Sequence, residues 1–397
     1  MNSLFASFAS FMWGPWLLVL LLGTGFWLTI RLRGIQLRSL FYALRLVFSK
    51  ELKGEGDISH FGSLMAALAS TVGIGNIAGV STAVALGGPG AIFWMWVTGL
   101  VGMATKYSEG FLAVKFRRIN DKGEISGGPM YYLEEGLKKK WLGICFAAFG
   151  ACAAFGIGNM VQANTTAIAV SETTGFNSFS VGLFLAILTG LVVIGGIKRI
   201  ADVASYLVPF MVALYFAGAL IVILNHIDQL GSGIKLVFEH AFTGTAATGG
   251  FAGATLANCI RYGVARGLFS NESGMGSAPI VAAAARTNHP SKQALVSMTG
   301  TFIDTLIVCS ITAMAISSTG VWTSGETGVA LTIQAFTAGL PGYWGKLLVT
   351  LGTITFAFST ILAWEYYGEK CFEYIFGEKY ILIYRYAWVI FVFIGAL

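Results

Sequence analysis

Ser70-Thr71-Val72-Gly73-Ile74-Gly75-Asn76-Ile77-Ala78-Gly79 interrupts an apolar run that extends from 60 to 87. A second interruption, Gly267-Leu268-Phe269-Ser270-Asn271-Glu272-Ser273-Gly274-Met275-Gly276-Ser277-Ala278-Pro279, lies inside the run 255–286. Either run is long enough to cross a bilayer, which takes about 20 largely apolar residues. Both place a Gly-x-Gly step and several polar groups at mid-membrane depth. Glycine and proline open a helix there only where the freed backbone groups meet protein, water or a ligand. The breaks are about 200 residues apart, and each opens a block of similar layout: broken span, apolar hairpin, further spans. Paired Gly-interrupted segments in corresponding positions point to a transporter site at a repeat interface.

The rest of the chain fits a membrane. Of 397 residues 56% are hydrophobic and 11% charged, with a mean hydropathy of +0.74; a soluble domain carries about 25% charged residues. This excludes an ordinary cytosolic enzyme, a disordered chain and a nucleic-acid binder. Candidate spans fall at 12–30, 60–87, 91–114, 141–170, 180–197, 203–224, 255–286, 294–318, 342–368 and 386–397, which defines an all-α, polytopic helical membrane protein. The first span lacks the basic flank of a cleavable signal, since no charge precedes Arg31. The last stops at Leu397 while still apolar: either the chain ends inside a helix or it has a shortened C-terminus. With the N-terminus outside, 20 of the 25 lysines and arginines fall on the inner side, including Arg31, Lys50, Lys53, Arg117, Lys122, Lys140, Lys370 and Arg385. That is the positive-inside pattern, and it predicts a multi-pass protein of the cytoplasmic membrane. The five cysteines form no CxxC pair and imply neither a disulfide framework nor a zinc site. Among the histidines none is placed for haem ligation within a span.

An unwound span presents two half-helix ends. The amide end suits a carboxylate, and the unwound carbonyls suit a cation or an ammonium group. A zwitterionic amino acid with a small hard cation matches that layout. The candidate hydroxyls for the cation are Thr71, Ser270, Ser273 and the adjacent pair Ser359-Thr360 in the 342–368 span. Such hydroxyls also bond back to their own helix. Gly75 and Gly79 can equally mark close helix packing. Glu272 can equally serve to tie unwound backbone together. Intramembrane Lys106 and Asp304 are functional candidates by default, or pair across helices. No HExxH, paired catalytic aspartates or GxSxG suggests intramembrane enzymology, and no cofactor is expected.

Thr71-Val72-Gly73-Ile74-Gly75-Asn76-Ile77-Ala78-Gly79-Val80 resembles the first motif of the alanine/glycine:cation symporter family. Gly87-Gly88-Pro89-Gly90-Ala91-Ile92-Phe93-Trp94-Met95-Trp96, Gly127-Gly128-Pro129-Met130-Tyr131-Tyr132 and the run from Phe269 to Ile280 are similar to further family motifs. The resemblance spans essentially the whole chain. It implies the inverted five-helix-repeat amino-acid transporter fold with an extra N-terminal helix. The expected division is 1–59 for that helix and a basic cytoplasmic segment, 60–230 for the first repeat and 231–397 for an incomplete second.

The first break also resembles that of sodium-coupled neurotransmitter-type symporters. Carried over, Gly73, Ile74 and Gly75 would offer amides to the substrate carboxylate. The Ala69 and Val72 carbonyls with the Ser359 and Thr360 hydroxyls would hold sodium. Thr71 and Asn76 lie where that other family binds a second sodium and here would contact substrate. Phe269 would cover the substrate, Ser270 would reach its ammonium group, and Gly274 and Met275 would shape the side-chain pocket. Gln162 and Trp364 would face the same region, or act as interhelical glue and filler. The implied activity is sodium-coupled uptake of alanine or glycine by alternating access, by a monomer in the lipid bilayer. A proton-coupled symporter is the alternative, with Glu272, Asp304 and Glu109 as carriers.

Overall fold

The computed structural model describes residues 8, 11–49, 54–120, 123–246 and 251–397. Lys50, Lys53 and Lys122, and part of the 1–59 segment, lie outside them. Each of the ten expected spans is helical. The first is α1 (Pro15–Arg31), opened by a proline at its first turn. The run 60–87 divides into α2 (His60–Thr71) and α3 (Val80–Gly87), bent by 53° across the break. Then come α4 (Ala91–Lys115), α5 (Lys140–Ala153), α6 (Val161–Thr174), α7 (Ser178–Val193) and α8 (Gly196–Asn225). The second block begins with α9 (Leu256–Asn271) and α10 (Ala278–Ala283), followed by α11 (Pro290–Thr301) and α12 (Ser310–Thr319). It ends with α13 (Trp344–Phe376) and α14 (Ile381–Ala396).

Taking α5–α6 and α11–α12 as continuous spans, five helices among the described residues are individually long and apolar enough to cross a membrane, and the bent α2–α3 pair makes a sixth. The others are short, broken or, like α4, carry charges within the span. Two longer helices among the described residues carried no span signal in the sequence because they are too short or too polar to cross. These are Ile227–Thr243, whose apolar residues gather on one face, and Gly328–Gly339. The only strands among the described residues are β1 (Arg118–Ile119) and β2 (Ile125–Ser126), an antiparallel pair after α4.

Among the described residues three stretches are wound more loosely than an α-helix, as π-helix: Gly75–Gly79, Ala154–Met160 between α5 and α6, and Phe302–Cys309 between α11 and α12. Wide turns of this kind bulge a helix and redirect side chains, and they gather at functional sites. All three converge on one region, described below.

Two buried clusters flank that region. One packs Tyr215 of α8 against Phe336 of the helix Gly328–Gly339 and Phe356 of α13, at ring separations of 5.3 and 5.4 Å. The other packs Trp364, Tyr367, Tyr384 and Trp388 of α13 and α14 with alanines of α5 and α6. Small residues set the helix spacing. Gly263 and Gly267 of α9 leave no room for a methyl beside Ala91, Trp94 and Thr98 of α4. Membrane helices associate through such close approaches, because apolar burial alone does not favour one helix over lipid.

Candidate functional site

Helix α2 ends because its backbone turns extended at Val72, with φ −77° and ψ 88°. The next amide, of Gly73, donates to Asn76 Oδ1 at 2.9 Å. A continuing helix would have bonded that amide to the Ala69 carbonyl, which is thereby released. Asn76 is fully buried, and its amide nitrogen donates to Asp304 Oδ1 at 2.7 Å. It therefore clips the first break to the π-helical turn before α12.

The second break follows the same logic with different residues. Helix α9 stops at Asn271, and Glu272, Gly274 and Gly276 all adopt left-handed backbone, at φ 55°, 85° and 81°. Glycine takes that conformation freely, whereas Glu272 takes it only under constraint. The constraint is visible: its carboxylate accepts from Ser277 Oγ at 2.5 Å and from Trp364 Nε1 at 3.1 Å. The Gly276 amide donates to Glu109 Oε1 at 3.1 Å, so a carboxylate of α4 also holds the unwound segment. Helix α10 restarts with Pro279 in its first turn, where a missing amide costs nothing.

The two breaks touch. A methyl at Gly75 would lie 3.6 Å from Ser270 Cα and 3.7 Å from the Phe269 ring. Ser270 Oγ donates to Asp304 Oδ2 at 2.9 Å, and Thr305 Oγ1 donates to the same oxygen at 2.8 Å. Asp304 thus gathers donors from both breaks, which accounts for a buried intramembrane carboxylate whose sequence showed no partner.

Between the breaks lies a cavity of about 40 Å³. Its walls bring together Thr71, Gly73, Ile74, Gly75, Gln162, Phe269, Ser270, Met275 and Trp364, with Thr360 beside them. Ser70, Ile157 and Glu272 complete it. Two expected substrate contacts are elsewhere. The Asn76 side chain turns away, spent on Gly73 and Asp304. Gly274 faces out of the cavity, toward Leu21 of α1 and Thr105 of α4. Nor is the Gly73 amide free, since Asn76 already accepts from it.

Four of the nearby residues carry an independent geometry. Ala69, Val72, Ser359 and Thr360 are all buried where α2 packs on α13. The hydroxyls of Ser359 and Thr360 each donate to the Phe356 carbonyl at 2.9 Å. That spends their protons and leaves oxygen lone pairs as acceptors. Together with the released Ala69 carbonyl, this is an oxygen-only set suited to a hard monovalent cation. Gly73 closes the seam, since a methyl there would lie 2.7 Å from Thr360 Oγ1.

Several contributors escaped the sequence reading. Tyr367 bonds Ser70 Oγ at 2.9 Å and braces the end of α2. Gly158 is pressed against Trp364 so closely that any side chain would overlap the indole. Ile157 reaches the cavity from the π-helical turn before α6. A Gly-Ile-Gly step at 156–158 was the available signal for these last two. Away from the cavity, the segment 54–58 pairs with 284–287. Asp57 donates its amide to Ala284, and the Arg286 amide donates to Ile58 at 2.7 Å. Arg117 fastens this pairing by donating to the carbonyls of Glu55, Ala283, Ala285 and Thr287. Burial lowers its pKa from the usual arginine value, but it stays charged.

Two broken helices meeting over a small polar cavity, beside an oxygen-lined seam, define a secondary transporter of a small solute. The profile of the sodium:alanine symporter family matches residues 1–397, and the chain belongs to that family. It is 53% identical to the sodium/alanine symporter AgcS of Methanococcus maripaludis, over 98% of this chain and 86% of that one. It is 39% identical to the probable sodium/glutamine symporter GlnT of Bacillus subtilis, over 94% and 78%. In fold it is similar to the crystal structure of MhsT in complex with L-phenylalanine, with a TM-score of 0.61 at 17% identity, covering 87% of this chain and 80% of that one.

Proposed function

We propose that this chain couples inward sodium movement to uptake of alanine or glycine by alternating access. The observation that carries the reading is the joint cavity: both breaks and Thr360 of α13 line one small space. The substrate carboxylate meets the amides at the start of the Gly75 turn, where the helix resumes and its N-terminal partial charge is positive. The ammonium group faces Glu272 and the end of α9. Phe269 and Trp364 close the apolar sides, and the small volume favours a side chain no larger than a methyl group. Distinguishing hydrogen from methyl at one position is worth only about 1–3 kcal/mol, so both amino acids are accepted.

Sodium binds Ala69, Val72, Ser359 and Thr360 and draws α2 onto α13. That ordering fixes the first break and so completes the amino-acid site next to it. The blocks 60–230 and 231–397 act as inverted repeats, and the N-terminus lies outside. Release of the inner pairing under Arg117 then opens the site to the cytoplasm. One net charge enters per cycle, and 100 mV supplies roughly 2.3 kcal/mol, close to 50-fold accumulation at about 1.4 kcal/mol per tenfold.

The test is radiolabelled alanine uptake into proteoliposomes, with an inward sodium gradient or with choline in its place and equal pH on both sides. Uptake that needs sodium and is lost in Ser359→Ala/Thr360→Ala is the expected result. Equal uptake in choline refutes sodium coupling and transfers attention to the buried carboxylates of Glu272 and Asp304.

A further inference from the structure

The last turns of α13 carry Glu365, Glu369, Lys370 and Glu373, all buried. Two of the three carboxylates have a cation. Arg385 of α14 donates to Glu369 through Nε and through Nη2, the latter at 3.0 Å, and its Nη1 donates to the Ile194 carbonyl at 2.9 Å. Lys370 Nζ donates to Glu373 Oε2 at 2.6 Å and to Ser126 Oγ at 3.0 Å. Partly exposed Glu124 lies 4.0 Å from the same ammonium. Glu365 is left over. It is completely buried, and neither of its oxygens meets a donor.

The surroundings offer it no spare cation. Arg385 points its guanidinium at Glu369 and Ile194, and Tyr384 of α14 donates to the Ala151 carbonyl at 3.4 Å. Of the other helices packed on α13, α7, α10 and Gly328–Gly339 carry no charge. Lys140 of α5, Glu172 of α6 and Lys198, Arg199 and Asp202 of α8 are exposed, and His60 of α2 bonds Gln293. Glu378 and Lys379 lie beyond the end of α13. A bare carboxylate left in such a place is costly. What Glu365 does face is the Glu369 carboxyl, within hydrogen-bonding reach. Two carboxylates bond to each other only through a proton, and like charges that close do not both ionise. A metal ion is the poorer occupant, since it needs several further oxygens and Arg385 and Lys370 would repel it.

We propose that Glu365 is a proton-binding site of this transporter: it holds one proton, donates it to Glu369, and needs it for α13 to keep its working position. Glu365 comes one residue after Trp364, which walls the alanine cavity, and five after Thr360 in the same helix. Loss of the proton to water leaves two like charges side by side. Their repulsion is relieved by a shift of α13, which carries Trp364 and the Ser359–Thr360 oxygens with it. The effect on uptake rests on the sodium–alanine reading above, whereas the proton itself does not and is read separately.

Infrared spectroscopy of the full chain in proteoliposomes, in light and in heavy water, reads the proton directly. A protonated carboxyl gives an acid carbonyl band that moves in heavy water. One such band should be missing from Glu365→Gln and displaced in Glu365→Asp, which keeps an acid on a shorter stem. The glutamine amide can donate to Glu369 as the acid did, and thermal melts check that both variants fold; should the glutamine variant not fold, the displaced band in Glu365→Asp carries the assignment. Acid bands identical in all folded proteins overturn the proposal. The second arm is sodium-driven alanine uptake against pH, with equal pH on both sides. Wild-type uptake should fall by about tenfold per pH unit once the proton is lost on the alkaline side, and in Glu365→Gln the ratio of uptake before and after that fall should drop to about one, by the same arithmetic. A fall of wild-type size in Glu365→Gln, or a folded glutamine variant with no uptake at any pH, overturns the link to transport. A band lost in Glu365→Gln from a wild-type protein that moves no alanine upholds the proton site and refutes the sodium–alanine reading instead.

Discussion

Gly73→Ala probes the seam between α2 and α13 with a single methyl group. Gly73 does not use left-handed backbone, so alanine brings no conformational strain of its own. The cost is contact. The new Cβ would lie 2.7 Å from Thr360 Oγ1, where ordinary contact begins at 3.4 Å. Thr360 cannot simply turn aside, because its hydroxyl is bonded to the Phe356 carbonyl and the residue is buried. The seam must therefore open by a large fraction of an ångström. Overpacking of this kind costs about 1–3 kcal/mol. The opening falls on the proposed sodium oxygens, so the cost is taken from sodium affinity, where it corresponds to roughly 5- to 150-fold. The assay is alanine uptake into proteoliposomes as a function of external sodium. The half-saturating sodium concentration should rise by that factor in Gly73→Ala. The clash is isolated by repeating the substitution in a Thr360→Ala background. Thr360→Ala itself weakens sodium, but adding Gly73→Ala should then cost little more, because the colliding oxygen is gone. Fully additive losses, or an unchanged sodium curve in the single variant, would refute the steric argument.

Gly158→Ala should abolish uptake, since its methyl displaces Trp364 from the cavity wall and from Glu272 of the second break; uptake and thermal melting on the same preparation separate this loss from a failure to fold. Glu272→Gln should lower alanine uptake by more than tenfold, as expected when a buried charge partner worth about 1.5–3 kcal/mol is lost. Its single amide oxygen can keep the bond from Trp364, while Ser277 turns to accept from the amide nitrogen, so a melting temperature that falls in parallel would mean a purely structural role. Arg117→Gln removes the donor shared by four carbonyls. Amide exchange at 57, 58 and 286 should quicken locally, whereas exchange in α13 stays unchanged.

The sequence by itself determined the membrane class, the helical spans and the two breaks. Those features are written in composition and in runs of adjacent residues: twenty apolar positions make a span, and Gly-x-Gly with polar neighbours unmakes one. It also named most of the cavity wall, because the residues at a break are contiguous and their motifs are specific to the family. It did not determine which groups the broken ends would satisfy first. Asn76 looked like a ligand, but in the fold it is the acceptor for the Gly73 amide and the donor to Asp304. Gly274 lies in the right segment, yet left-handed backbone at three nearby positions turns it toward α1. Asp304, 228 residues from Asn76, could not be placed until a π-helical turn rotated it into reach of both breaks. Tyr367 and Gly158 matter only through partners on other helices. The physical reason is the same throughout. A bilayer enforces the span from local hydrophobicity, but each freed backbone group inside it must find a partner. Which partner it finds depends on helices that meet only after folding.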